Sequence, residues 1–208
     1  MVLIALVGVH GSGKTTLAKL LAESCRGIVY WEVEAIHEAA GLEPLARQLL
    51  FFTKYVESYL RAWAASRGSA VVVADSHPLV VPAYTRWWVG DPELVKLMEA
   101  VLEKLPPADV LVHIRVEDPE VIAERVAARG RPTAREEADL EYIDFIGSEV
   151  ARLVERYGRL VARNVLEIDA EAPLHANAAA VASAARIDGR CFRSTGAAVA
   201  SVHAAAKG

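Results

Sequence analysis

Eight residues near the amino end constrain this chain more than anything else in it: Gly8-Val9-His10-Gly11-Ser12-Gly13-Lys14-Thr15. An apolar, β-branched run, Val2–Val7, leads into them, and a segment with helical spacing, 14–23, follows. Glycines between a strand and a helix let the backbone curl until successive N–H groups converge on one point. The amino end of the helix adds partial positive charge there. Such a nest receives phosphate oxygens. Lys14 is then placed for the β- and γ-phosphates of a nucleotide, and the Thr15 hydroxyl for Mg²⁺. A glycine-rich turn with no ligand needs neither the lysine nor the hydroxyl. Gly8, Gly11, Ser12, Gly13, Lys14, Thr15 and Thr16 are therefore the candidate phosphate-binding residues. His10 stands at a variable position of the loop; it is filler, or it contacts a phosphate or the acceptor.

The rest of the chain alternates in the same way. Short, nearly continuous apolar runs at 2–7, 28–31, 70–74, 109–116 and 165–168 suit strands buried on both faces of a parallel sheet. Longer segments between them repeat at three and four, as in Leu45, Leu49, Phe52, Val56, Tyr59, Leu60 and Trp63. This pattern predicts an α/β domain: a doubly wound, five-stranded parallel sheet flanked by helices, with ligands at the carboxyl ends of its strands. Asp91-Pro92-Glu93 and Asp118-Pro119-Glu120 read as helix starts, with Asp as cap and Pro in the first turn. The domain is expected over 1–185. Residues 186–208, rich in alanine, are expected to form a frayed or loosely helical tail.

With 208 residues, 53% of them hydrophobic and 24% charged, the chain is globular in composition, yet no apolar run reaches the length of a membrane span. The net charge of −4 argues against a surface built to grip nucleic acid or an anionic membrane. Two cysteines are too few for a disulfide framework or a four-ligand zinc site, and Cys25 reads as packed. The first residues carry no basic, signal-like segment, so a cytoplasmic protein is expected.

Of the classes that bind a nucleoside triphosphate, several are disfavoured. No Asn-Lys-x-Asp guanine signature and no Leu-Ser-Gly-Gly-Gln run is present, and the chain is short for a ring ATPase with a helical lid domain. A small kinase remains, which requires an acceptor site and an arginine-bearing lid. Arg125, Arg129, Arg131 and Arg135 supply the lid candidate, at about 129–138. Arg125 and Arg129 are four apart and share a helix face, and guanidinium groups there suit clamping of a transferring phosphoryl group.

At these residues the chain resembles the thymidylate kinase and deoxynucleoside kinase branch of the P-loop kinases. Residues 110–131, VLVHIRVEDPEVIAERVAARGR, are similar to the strand, Asp-Pro-Glu helix and arginine lid of that branch. Leu140-Glu141-Tyr142-Ile143 resembles the continuation, and Gln48 to Phe52 with Tyr55, Tyr59 and Arg61 resembles the acceptor-site helix. The resemblance implies a P-loop NTPase fold and transfer of the γ-phosphoryl of ATP to a nucleoside or nucleoside monophosphate. It implies that Asp75 holds Mg²⁺ or aligns the acceptor, and that Glu32 or Glu34 is the carboxylate base. Arg125, Arg129 and Arg131 would contact the transferring phosphates. Ser76-His77-Pro78 departs from the pattern, which has arginine after the acid, and Lys54 stands where a base-reading residue is usual. Arg61 or Arg86 would then serve from another direction. Phe51, Phe52, Tyr55, Trp87 and Trp88 either stack a base or belong to the core. A different small-molecule or RNA-end acceptor, or a regulatory ATPase, is the alternative reading. A homodimer is left open.

Overall fold

β1 (Val2–Val7) is the strand from which the architecture follows, because all six of its residues are buried. It lies between β3 (Val71–Ala74) and β4 (Ala108–Arg115), paired in parallel with both. β2 (Ile28–Tyr30) flanks β3, and β5 (Ala162–Asp169) flanks β4, giving the parallel order β2-β3-β1-β4-β5. The computed structural model describes residues 1–31, 39, 41–68, 71–128, 134–187 and 191, with the backbone alone at 134 and 135.

The side-chain period of two sends alternate residues of β1 to opposite faces. Leu3, Ala5 and Val7 enter one apolar core, and Val2, Ile4 and Leu6 enter the other. The first core is closed by α2 (Pro44–Ala65), α3 (Val81–Trp88), α4 (Pro92–Leu102), α5 (Pro119–Ala127) and α7 (Leu140–Val161). The second is closed by α1 (Lys14–Cys25) and α8 (Leu174–Ala184). A short helix, α6 (Ala134–Glu137), precedes α7. The doubly wound five-stranded sheet expected from the sequence is the sheet observed.

Helix boundaries follow local chemistry. Asp91, Asp118 and Asp139 cap α4, α5 and α7 by accepting hydrogen bonds from Glu93 and Leu94, Glu120, and Tyr142 backbone N–H groups. Each such cap stabilises its helix by roughly 1 kcal/mol. The strand limits move slightly. β5 begins at Ala162, not 165, because pairing with β4 carries the half-polar Ala162-Arg163-Asn164 into the ladder.

Cys25, the last residue of α1, is disulfide-bonded to Cys191. Both half-cystines are buried in the α1 and α8 core, together with Ile187. Cys25 is packed, as the sequence suggests, and it is also cross-linked, which two cysteines 166 residues apart do not announce. Tail positions 188–190 and 192–208, where a loose helix is expected, lie outside the described residues.

A bridge closing so long a loop restricts the unfolded chain and contributes on the order of 2–5 kcal/mol. Replacing both cysteines by serine should therefore lower Tm by roughly 5–15 °C. Differential scanning calorimetry reads the shift, and thiol titration in denaturant should find no free thiol before reduction and two after it.

Candidate functional site

The carboxyl ends of β1, β3, β4 and β5 lie along one edge of the sheet, and the glycine-rich loop crosses that edge. Two of its glycines are required by geometry. Gly11 has φ +83°, and a Cβ there would stand 2.9 Å from the Cγ2 atoms of both Ile122 and Val126 on α5. Gly13, at φ +95°, is the cap residue of α1. Lys14 is buried and its Nζ donates to the carbonyls of Gly8 and Val9, at 3.0 and 2.9 Å. An ammonium has three N–H groups, so one remains for an anion inside the loop. Ser12 Oγ is buried and makes no hydrogen bond among the described residues, so it is a further polar group at the same place.

Asp75 follows the last residue of β3 and is 1% exposed. Its backbone N–H donates to Tyr30 O, which ties the end of β3 to the end of β2. Its Oδ2 accepts a 2.9 Å hydrogen bond from Thr15 Oγ1. The two side chains singled out as metal-holding are thus in contact, across 60 residues of sequence. A hydroxyl and a carboxylate are hard oxygen donors. They fit Mg²⁺, which takes one or two protein oxygens and completes its shell with water and substrate phosphates.

On the β4 and β5 side the loop borders a pocket of about 480 Å³, lined by Gly11, Ser12, Gly13, Thr16, Ile114, Arg125, Ile168, Ala170 and Asn177 among others. Arg125 reaches it from α5, with Nη1 donating to Ala170 O at 3.1 Å. Its place is therefore the pocket wall. Arg129, Arg131 and the side chain of Arg135 lie outside the described residues, as do Glu32 and Glu34.

On the β3 side the loop meets aromatic rings. His10 stacks on Tyr84 of α3, with centroids 5.0 Å apart, and its Nδ1 is 3.3 Å from the Tyr142 hydroxyl of α7. Its position is thus built, which a single glycine-rich motif does not disclose. Ser76 is buried, and its Oγ makes no hydrogen bond among the described residues. His77 is fully buried, with Nδ1 accepting from Leu79 N–H and its ring in T-shaped contact with Tyr59. Burial pushes its pKa down to about 3, so it is neutral.

Both candidate arginines are engaged with glutamates. Arg61 is exposed and paired with Glu57. Arg86 bridges Glu99 of α4 and Glu149 of α7 within a network that includes Tyr157. Phe52 and Tyr55 are core residues, and Trp87 packs on Tyr142 and Phe145. Phe51 and Trp88 remain partly or largely exposed.

Residues 4–144, from β1 into α7, match a family model described as an AAA domain. The chain belongs to that family. No curated protein sequence matches it. Among solved structures it is similar to deoxyadenosine kinase from M. mycoides with dCMP and dCDP bound, at 14% identity and a TM-score of 0.67, over 87% of this chain and 97% of that one. The same enzyme with bound dATP gives 15% identity and 0.67, over 88% and 98%. Thymidylate kinase from Ehrlichia chaffeensis gives 16% and 0.60, over 88% and 97%. The fold is that of P-loop kinases.

Two outcomes follow from this geometry. Gly11→Ala must strain a positive φ and push α5 outward, so nucleotide affinity should fall about 10-fold or more, read by titration calorimetry. The neutral His77 gives stability that is complete above its ordinary pKa of 6.5 and is lost as pH falls toward 3, because only the unfolded chain takes up the proton. Urea unfolding should lose up to about 1.4 kcal/mol per pH unit from this group across that window, a slope that His77→Gln removes.

Proposed function

We propose that this protein is an ATP- and Mg²⁺-dependent kinase that transfers the γ-phosphoryl group to a hydroxyl of a small acceptor, a nucleoside or nucleoside monophosphate. The observation that carries the reading is the meeting of Lys14, Thr15 and Asp75 at the carboxyl ends of β1 and β3. The likeness of fold to deoxyadenosine and thymidylate kinases supports it.

In this reading the loop N–H groups and Lys14 hold the β- and γ-phosphates. Mg²⁺, when bound by Thr15 and Asp75, supplies neutralisation of phosphate charge. The acceptor oxygen forms a bond to the γ-phosphorus, the bond from that phosphorus to the β–γ bridging oxygen breaks, and ADP leaves. The acceptor proton passes to a carboxylate, for which Glu32, two residues beyond β2, is the candidate. Arg129 and Arg131 are the candidates for closing over the transferring group. Little covalent chemistry is left to the protein, so positioning and electrostatics set the rate.

Within the reading, a nucleoside is favoured over its monophosphate. Ser76 and neutral His77 follow the acid, and Arg61 and Arg86 are engaged with glutamates. A dianionic acceptor would find little positive charge in those residues. Cytoplasmic action belongs to the proposal as well; among the described residues no helix is long and apolar enough to cross a membrane.

The test is ADP release from Mg-ATP with deoxyadenosine, deoxycytidine, thymidine and dTMP. A nucleoside should raise the rate well above that of ATP alone, and Lys14→Ala should lower it at least ~100-fold with an unchanged circular dichroism spectrum. Equal rates with and without every compound would replace the kinase by a regulatory ATPase.

A further inference from the structure

α1 and α8 both start at the pocket beside the glycine-rich loop. Thr16 and Leu17 line it from α1, and Leu174 and Asn177 from α8. α1 is held there by Lys14 on the loop carbonyls and by Thr15 on Asp75. α8 has less to hold it. Its buried residues are Ala178, Val181 and Ala182, two methyl groups and one isopropyl, and its first turn has no side-chain cap. Burial of so little apolar surface anchors a helix weakly. Side-chain hydrogen bonds add to it, from Asn177 Nδ2 to Asp169 O at 2.7 Å and from Asn164 Nδ2 to Ala184 O at 3.5 Å.

The far ends of the two helices are joined through sulfur. Cys25 is the last residue of α1, and Cys191 follows α8. Both ends are built alike. Arg26 (φ +52°) and Arg186 (φ +55°) are left-handed, the only such non-glycine residues among those described. Gly27 N–H then reaches back to Ala22 O, and Ile187 N–H to Ala182 O. This closure fixes the exit of the chain against the last turn of each helix. A left-handed arginine is strained, and it persists only where its surroundings hold it. Here Cys25, Ile187 and Cys191 share one core with Leu21, Val181 and Ala182. The bridge therefore holds the end of α8 against the end of α1, and through the rigid helix it holds the pocket wall.

We propose that the bridge between Cys25 and Cys191 is a redox-sensitive clamp on this pocket: it keeps α8 docked and so sets the affinity for the nucleoside part of a bound nucleotide, not for its phosphates. The proposal rests on the reading of the pocket as part of the nucleotide site. A dithiol opens the clamp. Each bridge sulfur takes one hydrogen, and the dithiol, losing two electrons and two protons, closes to its own disulfide. Both half-cystines are buried, so the dithiol reaches them on local opening of that end. With the bridge open, α8 is undocked for part of the time, and the apparent dissociation constant rises by the inverse of the docked fraction. The loop binds phosphate as before. Linkage is reciprocal: a ligand that needs docked α8 favours the closed bridge by the same factor.

The experiment equilibrates the full chain in mixtures of reduced and oxidised dithiothreitol and counts protein thiols after acid quenching. It is run alone, with ATP and with inorganic tripolyphosphate, each ligand well above its dissociation constant. ATP should shift the midpoint toward the closed bridge by about 5-fold or more, and tripolyphosphate should leave it in place. Calorimetry on the oxidised and reduced chains should find ATP weakened by the same factor on reduction, tripolyphosphate unchanged, and ATP affinity restored by reoxidation. Equal shifts with both ligands would overturn the proposal, since they mark a bridge that holds the whole domain; a reduced chain that unfolds gives this same result. An unmoved midpoint with ATP would overturn it too. Absence of binding by both ligands to the oxidised chain would remove the nucleotide-site reading itself, and the proposal with it.

Discussion

A strand hydrogen-bonded on both edges and covered on both faces has only its ends at which to present irregular backbone. β1 is such a strand, and its carboxyl end is where the glycine-rich loop begins. Because the sheet is wholly parallel, the ends of β3, β4 and β5 are brought to the same edge by the same ladder. Asp75, Ile114, Asp169 and Ala170 reach the loop through register, without long-range loops to carry them. Thr15 and Asp75 then close the contact between α1 and β3, and Lys14 is kept beside the loop by the loop's own carbonyls.

That arrangement explains which parts were legible beforehand. Continuous apolar strands and Asp-Pro-Glu helix starts report local physics, so the five strands and the beginnings of α4 and α5 could be read directly. Asp75 was legible through the resemblance to nucleoside and nucleotide kinases, and its position after an apolar run agrees with the ligand edge of such a sheet. The ladder then supplies the contact with Thr15.

What stayed hidden depends on contacts between distant segments. His10 looks like loop filler until Tyr84 and Tyr142 arrive from α3 and α7. Asn177 lies in an alanine-rich helix with no motif around it, and only the carbonyl of Asp169 fixes its amide. The fate of Arg86 was equally unreadable, since Glu99 and Glu149 reach it from two other helices. The bridge between Cys25 and Cys191 bears on location as well. Such bonds are rare in reducing compartments, apart from the intracellular proteins of hyperthermophiles, so the proposed cytoplasmic action and the bridge are compatible in a cell of that kind.

That bridge also changes the chain's connectivity. Residues 25 to 191 form a covalent ring containing β2, β3, β4 and β5, while β1 and the loop lie on the arm outside it. The middle strand of the sheet is thus a free end inserted between two strands of a closed circle. A single peptide-bond cut within the ring leaves one molecule of nearly unchanged mass. A force applied to the two termini first draws out β1 and the phosphate loop. The ring itself, whose extended contour would be roughly 550–600 Å, is shielded from that force.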